Sequence, residues 1–258
     1  MKIYITHYSK LKDRESHIRE LLKKLNMKGK FIYDFDRENI NFSEDRFIQN
    51  KNLWNMQLLK IKKIVIKNIL LSKNKSILRT KFYWIFYYIF YRFFTPRSFK
   101  FRKLSASEIS LTLKHYHALR EIEKSGEPGL IMEDDVILKP ETKTLIKKSF
   151  LLCRSKYDFI DLGGGCDLPL FKEDKFDSDE KRFINLKIPR SRTTAAYMVN
   201  PKSASKIADG LFPVVMPIDW QYQFLFLKYN IKVSWTFPSA FIHGSKESKD
   251  IFKSSINN

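Results

Sequence analysis

The run GLIMEDDVIL, residues 129–138, sets three carboxylates in succession, Glu133, Asp134 and Asp135, at the end of an apolar stretch. Adjacent carboxylates repel one another, so the triplet costs stability unless a cation or strong donors face it. The apolar residues before it read as a strand, and strand C-terminal ends are where open parallel sheets place ligand sites. In a strand, positions 133 and 135 point to one side and 134 to the other. Glu133 and Asp135 together suit one hard divalent ion, of the kind that takes carboxylate oxygens and bridges substrate phosphates. The alternative is an exposed acidic turn with no ligand.

The elements that must position this run follow from hydrophobic spacing. KIYIT (2–6) predicts a first strand, and Ile18, Leu21, Leu22 and Leu25 share one face of a helix that Gly29 is expected to close. FIYDF (31–35) predicts a second strand, completing the strand–helix–strand unit that opens parallel α/β sheets. Ser105 and Glu108 have capping-box spacing before a helix that Gly126 and Pro128 end. On that helix Glu108, Thr112 and His115 share a face. Further strands are predicted within 157–165, 193–200 and, as the last one, 231–238; the tail beyond Gly244 is polar.

The chain has 258 residues, 43% of them hydrophobic, enough for one large domain with a core. A formal charge of +20 predicts attraction to polyanions. Fourteen Lys or Arg and no Asp or Glu lie between residues 51 and 107, which marks 51–104 as a basic, aromatic-rich insertion or, alternatively, as core helices with basic outer faces. Cys153 and Cys166 form no CxxC or Cys/His cluster, so a reducing compartment is the simpler expectation. The N-terminus lacks the apolar stretch of a secretory signal, and the longest apolar run, Phe82 to Tyr91, is shorter than the ~20 residues of a membrane-spanning helix. Both features predict a cytoplasmic protein.

Several motifs in order resemble glycosyltransferase family 25, the lipooligosaccharide glycosyltransferases related to collagen galactosyltransferases. They are IYITHYSKLKDR, then EISLTLKH with a His seven residues after the Glu, then EDDV, DFIDLGG, TTAAYMV and PID. The resemblance covers most of the chain outside the basic block. Departures are Thr6-His7 where the family usually has Asn-Leu, Ser110 and Lys114 for a Gly and a Ser, and Thr193 for a Gly.

What the resemblance implies is a GT-A-like fold with a mostly parallel sheet. It also implies a nucleotide-sugar donor, most familiarly UDP-galactose, and inverting transfer to a lipid-linked glycan with Mn2+ or Mg2+. Glu133 and Asp135 then hold the metal, with His243 offered as a third ligand because many GT-A enzymes use a late His. Asp219 is the candidate base and matches the family's late Asp; its alternative role is capping the helix that follows. Asp161 is the rival base, or a strand-end residue held by the glycine turn. Thr6, His7, Arg14, Glu108, His115 and Asp134 are assigned to the donor, with buttressing of the metal loop as the alternative for Glu108 and His115. Arg14 is expected on donor phosphate, or else as a solvated cation. Gly163 and Gly164 match no phosphate-loop spacing; they permit close approach by the sugar or by a neighbouring strand.

Two other classes compete with this reading: a single-stranded nucleic-acid binder and a metal-dependent phosphoesterase. The first needs no Glu-Asp-Asp strand end, and the aromatics of KFYWIFYYIFYRFF (81–94) are contiguous, not spaced as a stacking platform. That patch, flanked by cations, suits an anionic membrane face, each nearby cation contributing roughly 1 kcal/mol. In liposome flotation the protein should prefer anionic vesicles; equal binding to neutral and anionic vesicles, or none to either, removes the membrane expectation.

Overall fold

A computed structural model describes residues 1–41, 47, 50–71, 101–165, 168, 170, 171, 173–191 and 193–244, with the backbone alone over 62–71. The chain opens with strand β1 (Lys2–Thr6), helix α1 (Lys12–Leu25) and strand β2 (Lys30–Ile32). β2 lies parallel to β1, with Tyr4 opposite Lys30. α1 buries Ile18, Leu21, Leu22 and Leu25, the stripe its spacing predicts. It ends at Asn26, not at Gly29: Asn26 is in the left-handed region at φ 53°, which Asn tolerates, and its N–H returns to the carbonyls of Leu22 and Lys23. Gly29 serves packing instead, since a Cβ there would lie 2.4 Å from Ile5 Cδ1. β2 stops at Ile32, short of the expected 31–35, and Phe35, at φ 65°, turns the chain towards a 3-10 turn at Arg37–Asn39.

Two long helices follow, α2 (Lys51–Leu71) and α3 (Ala106–Ser125). α3 starts as its sequence predicts. Ser105 Oγ accepts from the Glu108 N–H at 3.2 Å and the Glu108 carboxylate accepts from the Ser105 N–H at 2.9 Å, while Gly126 ends the helix at φ 69°. The order then runs β3 (Gly129–Glu133), β4 (Val136–Leu138), α4 (Thr142–Ser155), β5 (Phe159–Asp161), β6 (Lys175–Phe176), β7 (Phe183–Asn185), β8 (Ala196–Val199), α5 (Pro201–Gly210), α6 (Ile218–Tyr229), β9 (Val233–Thr236) and β10 (Phe241–His243).

Eight strands form one sheet in the order β2-β1-β3-β8-β5-β9-β7-β6. β1 is parallel to β2 and β3, and β5 to β9, whereas β8 runs against both β3 and β5, and β7 against β9 and β6. The sheet is therefore mixed, with β8 and β7 running against the other strands and the rest sharing the one direction expected of a mostly parallel sheet. Because β8 is flanked on both sides by opposed strands, the C-terminal ends of β1, β3, β5 and β9 still share one edge. β9 is not the last strand, as 231–238 was expected to be. β10 follows and pairs antiparallel with β4, setting His243 opposite Val136.

Core lies on both faces of the sheet. Ile3 and Ile5 of β1 pack with α1 and α4, while Tyr4, between them in sequence, joins the core formed with α2, α3, α5 and α6. α2 bears on the basic block. Its Trp54, Leu58 and Ile61 are buried in this second core, so the start of the block is an integral helix rather than an appendage. The aromatic stretch 81–94, Cys166 and the tail 245–258 lie outside the described residues. Among the described residues no helix is long and apolar enough to cross a membrane. Trp54→Ala should cost about 3–5 kcal/mol of stability in urea unfolding, as for a large core side chain; a loss under ~0.5 kcal/mol, the range of surface substitutions, would show α2 to be detachable.

Candidate functional site

β3 ends at Glu133, and the chain turns through Asp134 and Asp135 before β4 begins. The turn delivers what strand alternation predicts: Glu133 and Asp135 converge on one side and Asp134 points away. β10 brings His243 to the first pair, and one ligand atom from each of Glu133, Asp135 and His243 lies within 4.8 Å of the others. His243 Nδ1 is 3.4 Å from Asp135 Oδ2 and its Nε2 is 3.9 Å from Glu133 Oε2. Burial raises the Asp135 carboxyl above its ordinary range and the Glu133 charge adds to the rise, while His243 and Arg14 oppose it. Burial also disfavours a charge on Glu133, but His115, His243 and Thr194 outweigh it and hold that carboxyl well below the usual range. Asp135 Oδ1 is buried with no hydrogen-bond partner. Two oxygens and an imidazole around an unsatisfied carboxylate form a donor set that fits a divalent cation.

Asp134 is neutralised from behind. Arg14 Nη1 donates to its Oδ1 at 2.9 Å, His7 Nδ1 lies 2.8 Å from its Oδ2, and the Tyr8 N–H reaches Oδ2 at 3.4 Å. Arg14 and Asp134 are both buried, so this is a desolvated pair and not a surface bridge. His7 packs edge-on against Phe31 and Tyr33 and extends the clamp into β2 and the residue following it. Arg14 is thus held on a carboxylate, not set out as the solvated cation that was its alternative.

An open cleft lies over this turn, lined by the end of β1 and the β1–α1 connection (Thr6, His7, Tyr8), Arg14, Arg37, one face of α3, the acidic turn and His243. The α3 face is Ser107, Ser110, Leu111 and Lys114, offset from the expected Glu108, Thr112 and His115. One residue is 100° around a helix, so the predicted face points elsewhere. Glu108 is spent on Arg102, whose Nη1 and Nη2 lie 2.7 and 2.5 Å from its two oxygens, and on the capping box. His115 is fully buried with its Nε2 3.6 Å from Glu133 Oε1, which is the buttressing geometry. Lys114 Nζ sits among the carbonyls of Ile32 and Asp34 and Asp36 Oδ1, at 3.2, 2.7 and 2.7 Å. Burial depresses its pKa and Asp36 resists the fall. Ser110 Oγ donates to the Phe35 carbonyl. Tyr8, Arg37 and Ser107 were missed for want of a local signal. Ser110 and Lys114 carried one, as departures from the family pattern on one helix face.

The two candidate bases differ in environment. Asp161 is fully buried, and its oxygens accept from the Gly163 N–H at 2.7 Å, the Gly165 N–H at 3.2 Å and Ser191 Oγ at 2.8 Å. Burial pushes it up to about 6 although all three donors oppose the rise. This is the strand-end arrangement, with the carboxylate enclosed by the glycine turn. Gly164 and Gly165 have φ of 65° and 76°, and a Cβ on Gly165 would lie 2.6 Å from the Trp235 ring. The close approach is therefore to β9, and Gly163 and Gly164 do not line the cleft. Asp219 is half-buried in the first turn of α6, where Pro217 holds the capping position; the Asp219 carboxylate accepts only the N–H of Trp220, at 2.9 Å, among the described bonds. Burial raises it to about 6, and the charges of Glu133 and Glu108 push the same way.

The model of glycosyltransferase family 25, described as an LPS biosynthesis protein family, matches residues 1–221. The chain belongs to this family. No curated protein matches it. Family 25 membership makes it a glycosyltransferase, with a nucleotide-sugar donor and a glycan acceptor in general terms. The match spans β1 through the start of α6 and so includes the acidic turn, the cleft face of α3 and Asp219, but not β10. His243, the third corner of the trio, is placed by tertiary pairing alone.

The Arg14–Asp134 clamp sets a testable cost. Arg14→Met should destabilise the protein by about 3–5 kcal/mol in urea unfolding, because it strands a buried carboxylate. Arg14→Met combined with Asp134→Leu should recover most of that loss, and a double variant no better than the single would deny that the pair is the origin of the cost.

Proposed function

We propose that this family 25 member is an inverting, metal-assisted hexosyltransferase of GT-A-like architecture. Its donor is a UDP-sugar, UDP-galactose foremost, and its acceptor a lipid-linked oligosaccharide at the anionic cytoplasmic face of a membrane. The observation that carries the reading is the convergence of Glu133, Asp135 and His243 in the lining of the cleft. The nucleotide lies between the β1–α1 connection and the Ser107–Ser110–Leu111 face of α3, with its diphosphate towards the trio. A divalent cation, Mn2+ or Mg2+, supplies Lewis-acid stabilisation of the leaving diphosphate.

The chain's own residues do the rest. Asp219 takes the proton of the acceptor hydroxyl as its oxygen bonds to the anomeric carbon; the bond to the diphosphate breaks and its electron pair stays on the phosphate oxygen. A carboxyl raised to about 6 is ionised at neutral pH yet more basic than an ordinary Asp, which suits this task. The net charge of +20 and the basic block favour an anionic membrane surface. No observation in the fold favours the nucleic-acid or phosphoesterase readings over transfer.

UDP release from UDP-galactose with a glycan acceptor should require Mn2+ and stop with EDTA or in Asp135→Ala, whose far-UV circular dichroism should be unchanged. The rate should rise with pH through about 6 and flatten above it, because only the ionised Asp219 accepts a proton. Asp219→Asn should lower kcat by about 10²–10⁴-fold and abolish that limb. Unchanged turnover in Asp135→Ala refutes the metal assignment, and a surviving pH limb in Asp219→Asn refutes the base.

A further inference from the structure

A line of buried polar groups runs beneath Glu133. Thr194 Oγ1 donates to Glu133 Oε1 at 2.6 Å, and His115 Nε2 lies 3.6 Å from the same oxygen. On the other side of the imidazole, Nδ1 is 2.8 Å from the Tyr197 hydroxyl, itself 2.7 Å from the Tyr222 hydroxyl. His115, Tyr197 and Tyr222 are all essentially inaccessible to solvent. The His115 and Tyr197 rings stack at 5.7 Å, and Tyr222 stands edge-on to both. The line crosses from α3 through β8 to α6, where Tyr222 sits three residues after Asp219.

Packing does not require these oxygens, since Phe fills nearly the same volume as Tyr, and two hydroxyls and an imidazole at this depth cost desolvation unless each is bonded. Their order is directional. Facing the Glu133 carboxylate, His115 is favoured as the tautomer with hydrogen on Nε2, so Nδ1 accepts. Tyr197 must then donate to Nδ1, and its oxygen accepts from Tyr222. Glu133 is thereby divided: Oε1 accepts from Thr194 and lies 3.6 Å from His115 Nε2, an electrostatic contact longer than a hydrogen bond, and Oε2 faces His243.

We propose that His115, Tyr197 and Tyr222 are positioning residues that fix Glu133 for cation binding and tie the cation site to the helix carrying Asp219. This rests on the reading of Glu133, Asp135 and His243 as a cation site. A hydroxyl on α6 that touches no ligand then governs how tightly the cation binds, and the cation in turn holds α6 in place.

The test is calorimetric titration of the full-length protein with Mn2+ alone, without donor or acceptor. Tyr197→Phe and Tyr222→Phe should each weaken Mn2+ binding by about 10-fold, the usual effect of losing a group that orients a metal ligand. The double variant should be no weaker than Tyr197→Phe, because removing the middle hydroxyl already breaks the line. Tyr157→Phe removes a comparably buried hydroxyl, bonded to Asp177 elsewhere in the fold. It should lower thermal stability but leave Mn2+ affinity as in the wild type. Wild-type affinity in both Tyr197→Phe and Tyr222→Phe, or additive losses in the double variant, overturns the positioning line and leaves the cation site standing. A wild-type protein that binds no Mn2+ overturns both.

Discussion

Charge neutralisation of Asp134 is the constraint on which the rest of the site depends. Three consecutive carboxylates at a strand end repel, and the turn holds only because the middle one is buried against Arg14 and His7. That pairing ties α1 and β1 to the end of β3, which fixes the rotation of the turn. With Asp134 drawn inward, Glu133 and Asp135 face the opposite side, where Asp135 Oδ1 is buried without a hydrogen-bond partner. The fold thus uses one acidic residue to anchor the loop, supports Glu133 with His115, His243 and Thr194, and leaves the buried Asp135 charge disfavoured. Such an arrangement is retained where a ligand supplies the missing charge.

Helix α3 extends this division. Its face of Ser107, Ser110, Leu111 and Lys114 lines the cleft, and the adjoining face sets His115 against the sheet beneath Glu133. One helix therefore builds both the wall of the cleft and the support of its floor. Lys114 is the meeting point: its ammonium satisfies two carbonyls and Asp36, closing the β2 end of the cleft with a buried ion pair. Across the sheet, Asp161 performs a comparable structural task, gathering the glycine turn and Ser191 around one carboxylate so that the turn packs on Trp235.

Much of this was legible along the chain, where the signal was local. The Ser105 and Glu108 capping box, the α1 stripe and the strand preceding the acidic run each depend on residues a few positions apart, and each is where spacing puts it. Legibility failed where the deciding contact was distant. Asn26 took the cap expected of Gly29, entering the left-handed region with its N–H on the Leu22 and Lys23 carbonyls, and Gly29 instead allows the approach of Ile5. β8 runs against its neighbours, a direction no periodicity encodes. Trp54, Leu58 and Ile61 of the basic block pack into the core with α6, a contact that composition alone left open between an insertion and core helices.

The sequence by itself determined the family, the acidic strand end and the opposite facing of Asp134 and its neighbours, since these follow from residue identity, order and the two-residue period of a strand. Only the tertiary structure decided that His243 joins Glu133 and Asp135, that Arg14 and His7 both face Asp134, and that Asp161 is fully buried within the glycine turn while Asp219 is half-buried. The physical reason is that charge and solvation depend on what surrounds a side chain in space. The pairing of β4 with β10 and the placing of α6 over the sheet bring together residues more than eighty positions apart, Val136 with His243 and His115 with Tyr222.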